Sequence, residues 1–508
     1  MFSMRSLLAG VLLLSAPAAW AQVPTLPETK IVPSDAAFHS EFGNSVAIDG
    51  DWLVIGDQVD DYGGSPTGAA YVYRRSGTDW AEVAKLTSGL ADDAFGLSVD
   101  ISGSTIVVGA WADHETGSFS KGAAYVYDRT AGTDEWTLQA KLTAADGAFG
   151  DAFGYAVAIH RDTIVVGAHL ADTIVDLNTG AAYVFERGTH GAWHEAAKLW
   201  PDGVQRGDHF GRAVAVSRCR VLVGAPWTDG LRVQSGAAYV FDGCAGAGWR
   251  QTAKLTSGEL ADGFFGTAVA LDAGTAVVGA NANNEHGTFT GAAYVFGRHE
   301  GGLNQWGRRA SLAAYDAERD KNFGWSVAVR GETVVVGARG DDHTGPNAGA
   351  AYVFRKHVGG RNRYGPVKKL TASDSSFGFE DFGWSVDVSD SLVLIGAPKG
   401  GPEPFTGAAY LYPVPTSEPV CDVAARATAE GITLDFRLGP TLPSDWSVWV
   451  RISRQWWLLW AVPLPIVEPP AAYSVPLPDL GSSRIQFLSA LSTGENGLLC
   501  ADWTHLDP

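Results

Sequence analysis

Carboxylates recur at one kind of connection in this chain, where close oxygens could hold a cation or meet a basic partner. Asp60, Asp61, Asp113, Asp172, Asp229, Asp341 and Asp342 follow apolar runs and precede Gly-Ala-Ala-Tyr segments. Asp92, Asp93, Asp146, Asp151, Asp208, Asp262, Asp320 and Asp381 precede Phe-Gly pairs. Arginines collect at the other connections, among them Arg74, Arg75, Arg129, Arg187, Arg218, Arg220, Arg298, Arg355, Arg361 and Arg363, with Lys356. Asp favours turns because its side chain bonds local backbone. That preference explains its abundance but not the segregation of arginine. The pattern predicts an acidic face built from Asp60, Asp113, Asp172, Asp229 and Asp341, drawing a basic partner in a salt-sensitive way.

No catalytic constellation accompanies these groups. His114, His286 and His343 lie beside Glu115, Glu285 and Asp342, but in separate copies of a repeat, so solvated turn residues are the preferred reading. Gly-x-Ser-x-Gly, His-Glu-x-x-His and phosphate-loop patterns are absent from the sequence. The chain is expected to be no enzyme and to need no cofactor. Arg339-Gly340-Asp341 spells an adhesive tripeptide, but it overlaps the repeat pattern and is read as chance. The four cysteines predict two bridges, Cys219 with Cys244 and Cys421 with Cys500, the simplest of three connectivities in an exported chain.

The elements that must carry these residues are seven copies of one pattern. Phe-Gly pairs begin at Phe42, Phe95, Phe153, Phe210, Phe265, Phe323 and Phe382, spaced 53 to 59 residues apart. Each is followed by an apolar run and then by Gly-Ala-Ala-Tyr, beginning at Gly68, Gly122, Gly180, Gly236, Gly291, Gly349 and Gly407. In the second copy Phe95, Leu97, Val99 and Ile101 alternate with small or polar residues, a period of two and hence a strand. Thr105 to Ala110 has no polar break, so both its faces are buried. Ala123 to Tyr127 makes a third strand and Trp136 to Leu142 a fourth. Four strands in seven copies predict an all-β, seven-bladed propeller. The seventh copy lacks its fourth strand after Tyr412, and Lys30-Ile31 sits twelve residues before Phe42, as Lys141 does before Phe153. Residues near 26–32 are therefore expected to complete the last blade and remove the open edges.

Phe-Gly followed by Val-Val-Gly-Ala, as at Phe153 and Val165 to Ala168, resembles the FG-GAP repeat, with Gly-Ala-Pro restored at Pro226 and Pro398. The resemblance spans about residues 24–413. It implies the propeller of integrin α subunits and of exported bacterial proteins, whose repeats often hold calcium in an Asp-x-Asp-x-Asp-Gly loop. Here the corresponding connections are short, as in Ile48-Asp49-Gly50-Asp51 and Ile101-Ser102-Gly103-Ser104, so no metal site is expected.

A net charge of −19 disfavours nucleic acid and anionic membrane surfaces. Residues 1–21, with Arg5, an apolar stretch and Ala19-Trp20-Ala21, read as a secretory signal too short to span a membrane. No transmembrane segment is expected elsewhere. Residues 22–413 form the propeller. Residues 414–508, rich in Trp after a proline linker, are expected to form a small β-sandwich. The working expectation is an exported binding, adhesion or scaffolding protein that recognises a protein or glycan ligand through the long-loop end. The alternatives are a glycan-acting hydrolase or lyase, or carbohydrate binding through the Trp-rich tail.

Overall fold

The computed structural model describes residues 27–415 apart from short loop segments, and beyond them only the backbone of the strands between 422 and 506. Seven four-stranded antiparallel sheets follow one another along the first part. Their first strands are Ser45–Asp49, Phe95–Ser102, Phe153–His160, Ala213–Ser217, Val269–Asp272, Phe323–Arg330 and Ser385–Val388. Each packs against the first strand of the next sheet, and the seventh packs against the first, so these strands form a closed inner ring. This is a seven-bladed β-propeller.

Closure works as the repeat arithmetic requires. Thr29–Ile31 pairs with Ala408–Pro413, setting Lys30 opposite Tyr410 and Ile31 opposite Ala409. The N-terminal strand is the outer strand of blade seven, and blade seven meets blade one through the same contact as any other pair.

That contact explains the glycines. A Cβ on Gly56 would lie 2.0 Å from the Gly96 carbonyl oxygen, and one on Gly96 would lie 2.1 Å from that of Ala69. Gly96 also holds φ +91, a region open chiefly to glycine. At the closing seam, Gly396 would meet the Gly43 oxygen at 1.9 Å. The Phe-Gly and Gly-Ala glycines are the points where neighbouring blade backbones touch. A parallel bridge between Gly122 and Phe153, repeated at the equivalent pairs, ties each inner strand to the preceding blade.

The core lies between blades. The seven motif phenylalanines are almost wholly buried, and each meets the Gly-Ala-Ala-Tyr tyrosine of its own blade, as Phe95 and Tyr125 do with centroids 5.4 Å apart. Second strands such as Thr105–Ala110 are buried throughout, as their unbroken apolar runs demand. Outer strands such as Trp136–Leu142 are half exposed.

After residue 421 two further antiparallel sheets occur. One contains Asp422–Thr428, Gly431–Arg437 and Ala472–Leu477, and the other Gln455–Trp460, Val448–Ile452, Ile485–Thr493 and Gly497–Leu506. No helix of the described residues is long and apolar enough to cross a membrane.

Candidate functional site

Long connections, from second to third strand and from blade to blade, share one end of the ring. The aspartates assigned to an acidic face begin there, but three of the five are buried: Asp60, Asp113 and Asp341. Strand register explains their neutralisation. In six of the seven blades the Gly-Ala-Ala-Tyr tyrosine faces an outer-strand lysine, among them Tyr71 opposite Lys85, Tyr125 opposite Lys141 and Tyr352 opposite Lys369. In blade one the Tyr71 hydroxyl lies 2.5 Å from Asp60 and 2.8 Å from Asp35, its one hydrogen shared between them, while Lys85 Nζ lies 2.7 Å from Asp60 and 2.6 Å from Asp35. In blade two Tyr125 and Lys141 donate to Asp113. In blade six Lys369 and Lys321 both reach Asp341 and Asp316. Burial works against the Asp341 carboxylate, but Lys369 and Lys321 outweigh it and hold its pKa below the usual range. Burial and the neighbouring carboxylates push the Tyr71 and Tyr352 hydroxyls far up, so both remain donors. Asp172 and Asp229 are exposed, and each accepts a loop N–H, from Asn178 and Gln234. The five aspartates therefore do not make one open acidic patch: three staple long loops to outer strands and two cap loops.

Arginines at the short-turn end are also engaged within the fold. Arg187 pairs with Asp128 at 2.8 Å and stacks on Trp193, and Arg220 pairs with Asp242 at 2.6 Å. The turns between first and second strands there are tight, with two residues between the paired Asp49 and Trp52, too few to surround an ion.

Along the axis, Asp100 accepts the N–H of Ile159 from the next blade, and Asp387 accepts that of Ile48 across the closing seam. Both stand on first strands of the inner ring and keep some exposed surface. Burial, with Asp387 and Asp49 nearby, pushes Asp100 up to about 8, and burial chiefly raises Asp387 to about 6.

Where the axis opens at the long-loop end, a different set of residues gathers. They stand just before or after Phe-Gly and just after Gly-Ala. Tyr155 and His169 have centroids 4.1 Å apart, His169 and His209 5.7 Å, His209 and Trp227 4.6 Å, and Trp227 and Phe264 5.8 Å. The Arg212 guanidinium lies 4.6 Å from the Tyr155 ring centre. Across blades six and seven, Arg339 sits 3.8 Å from the Trp325 ring centre and 4.7 Å from that of Trp384. Burial, with Arg212 and His209 adding, depresses His169 to about 3, so it is neutral at physiological pH. Nδ1 of His169, Nδ1 of His209 and Nε of Arg339 are buried without a hydrogen-bond partner. The same end exposes Trp111, which directly follows Gly109-Ala110 at the mouth, and, farther out, Phe149, Phe289 and Phe379. Phe289 at φ 52 and Phe379 at φ 66 hold a conformation that bulky residues seldom adopt.

Seven segments, 26–73, 80–127, 136–185, 193–241, 249–296, 306–354 and 364–412, match the FG-GAP repeat. The chain belongs to the FG-GAP repeat family. Its integrin α-like propeller is of a kind common in binding and adhesion scaffolds and in exported proteins. No curated protein matches it. Among solved structures it is similar to the crystal structure of Saccharomyces cerevisiae Sqt1, at 11% identity and TM-score 0.42, over 79% of this chain and 94% of that one.

Within this FG-GAP propeller the remaining sequence candidates divide. Arg339-Gly340-Asp341 is not displayed: Asp341 is fully buried and Arg339 is held by two tryptophans. His114 contacts the Ala112 carbonyl of its own loop, and the His343 N–H bonds Asp341, so these two serve local geometry. His286, Glu115, Glu285, Asp61 and Asp262 lie outside the described residues. Cys219 is in a disulfide. Cys244, Cys421 and the side chain of Cys500 lie outside the described residues. The mouth residues were missed because they vary from copy to copy. The signal available was the aromatic or cationic residue two places after Phe in Tyr155, Arg212, Trp325 and Trp384.

Proposed function

We propose that this FG-GAP protein is exported and docks a protein partner on the long-loop end of its propeller, without catalysis. The observation that carries the reading is the exposure of Trp111, Phe149, Phe289 and Phe379 on loops at that one end. Aromatic side chains dominate binding energy at interfaces. The buried state of Asp60, Asp113 and Asp341 moves the recognition chemistry from carboxylates to aromatics. Under this reading residues 1–21 are removed on export, residues 22–413 are the docking module and residues 414–508 a β-sandwich appendage. Cys219–Cys244 and Cys421–Cys500 are the proposed bridges in the oxidising compartment. A Phe149→Ser, Phe289→Ser, Phe379→Ser triple variant tests the proposal by crosslinking in culture. It is expected to keep the native melting temperature and to lose the crosslinked complexes of the parent. Unchanged crosslinking, or no complexes with the parent, would overturn it.

A further inference from the structure

In a chain of net charge −19, the axial mouth holds two arginines that no carboxylate among the described residues pairs. Lys85, Lys141, Lys198 and Lys369 all sit on aspartate, and so do Arg74, Arg187, Arg220 and Arg330. Among the described residues, Arg212 and Arg339 have no ion pair and an aromatic face holds each, as Trp52 holds Arg129 at the opposite end; what sets the two apart is their place at the axial mouth. The nearest acidic group to Arg339, Asp381, is taken by Lys399 at 2.6 Å. Stacking uses the flat face of a guanidinium and leaves its in-plane N–H fork available, the edge that fits a carboxylate bidentately. The ring beneath fixes the fork, so less freedom is lost on binding. At Arg339 the buried Nε has no hydrogen-bond partner, so that guanidinium keeps an unmet donor at the mouth.

We propose that the axial mouth is a receptor for carboxylate side chains, taking an acidic segment of a protein partner against Arg212 and Arg339. This rests on the docking reading above and reverses the charge of partner that the aspartate pattern suggests. A peptide is favoured over an acidic glycan because cations occupy the ring faces of Tyr155, Trp325 and Trp384. A sugar would need those faces for stacking. The apolar side chains of Trp227 and Phe264 instead suit a peptide with hydrophobic residues among its acids.

The test uses the mature full chain and a fluorescein-labelled, glutamate-rich decapeptide carrying two phenylalanines, read by anisotropy. Its glutamine and lysine counterparts and a labelled oligogalacturonate serve as comparisons. The glutamate peptide is expected to bind at least about tenfold tighter than the glutamine one. Arg212→Gln with Arg339→Gln should abolish that preference, and Arg250→Gln, an exposed arginine at the opposite end, should leave it intact. Equal binding of the two peptides, equal loss in the Arg250→Gln control, or tighter binding of oligogalacturonate would overturn the proposal. Should the double variant keep the parent's crosslinked complexes while the phenylalanine triple variant loses them, the carboxylate receptor fails and the docking face stands.

Discussion

At the scale of single residues, charge in this protein is mostly structural. Blade five makes the point by substitution. Where blade two has Asp113 and Lys141, blade five has Asn283 and Ser311, and the Asn283 amide donates to Tyr294 at 3.0 Å. The carboxylate and the ammonium are absent together, as expected if each is tolerable in a buried setting only with the other. Lys141→Ser alone should therefore be costly, since it leaves Asp113 buried with Tyr125 as its remaining side-chain donor. Adding Asp113→Asn should restore much of the loss, with a coupling of about 1–3 kcal/mol in a double-mutant cycle read by urea unfolding. Additive effects of the two substitutions would contradict the staple. Mouth residues such as Arg212 and Arg339 differ in kind, because aromatic rings and not carboxylates hold them.

At the scale of elements, the strand that matters most is the shortest. Thr29–Ile31 adds three pairings, yet it brings the staple of blade seven with it: Lys30 and Tyr410 meet on Asp374, and Tyr412 donates to Glu28 at 2.5 Å. The Tyr73 hydroxyl of blade one also donates to the Val32 carbonyl at 3.0 Å, so the segment spans the seam. Without it, Ala408–Pro413 becomes an open edge able to pair with other chains. A chain lacking residues 22–33 should melt about 5 °C or more below one lacking residues 22–26, and should form oligomers on size-exclusion chromatography. Equal melting of the two truncations would mean that the ring does not depend on this strand.

At the scale of the whole molecule, hydrogen bonds across the axis tie the blades into one unit and couple stability to pH. Asp100 titrates at about 8 and Asp387 at about 6, against about 3.9 in an open chain. Between those values the native state holds more protons than the unfolded one, so stability is fully present at low pH and declines as pH rises through about 6 to 8. The staples act oppositely. Asp35, Asp146, Asp316, Asp341 and Asp374 lie below their usual range, so the stability they confer is present at neutral pH and lost as pH falls below about 4. The melting temperature should peak near pH 5 and fall toward pH 8.5. Asp100→Ala should flatten the alkaline decline, since Ala47, Ala158, Ala215, Ala270 and Ala328 hold that register in five other blades. A melting temperature that does not fall between pH 5 and pH 8.5 would show that the axial carboxylates are ionised in the fold.

Repetition made the architecture legible in the chain itself. A period of 53 to 59 residues with two-residue alternation admits strands and a ring, and the missing last strand implies its own replacement. The glycines of Phe-Gly and Gly-Ala were legible because backbone contact between blades requires the absence of a Cβ at each seam. Charge could not be read the same way. A turn sequence shows that Asp60, Asp113 and Asp341 are near loops, but not that Lys85, Lys141 and Lys369 stand beneath them. That proximity comes from pairing the third strand with the fourth, which sets lysine opposite tyrosine. The mouth was hidden for a related reason. Tyr155, Arg212, Trp325 and Trp384 are separated by whole repeats in sequence, and only closure of the inner ring places them around one axis. What recurs in every blade is determined locally by strand period and backbone contact, whereas what differs between blades gains meaning only once the ring brings neighbouring blades together.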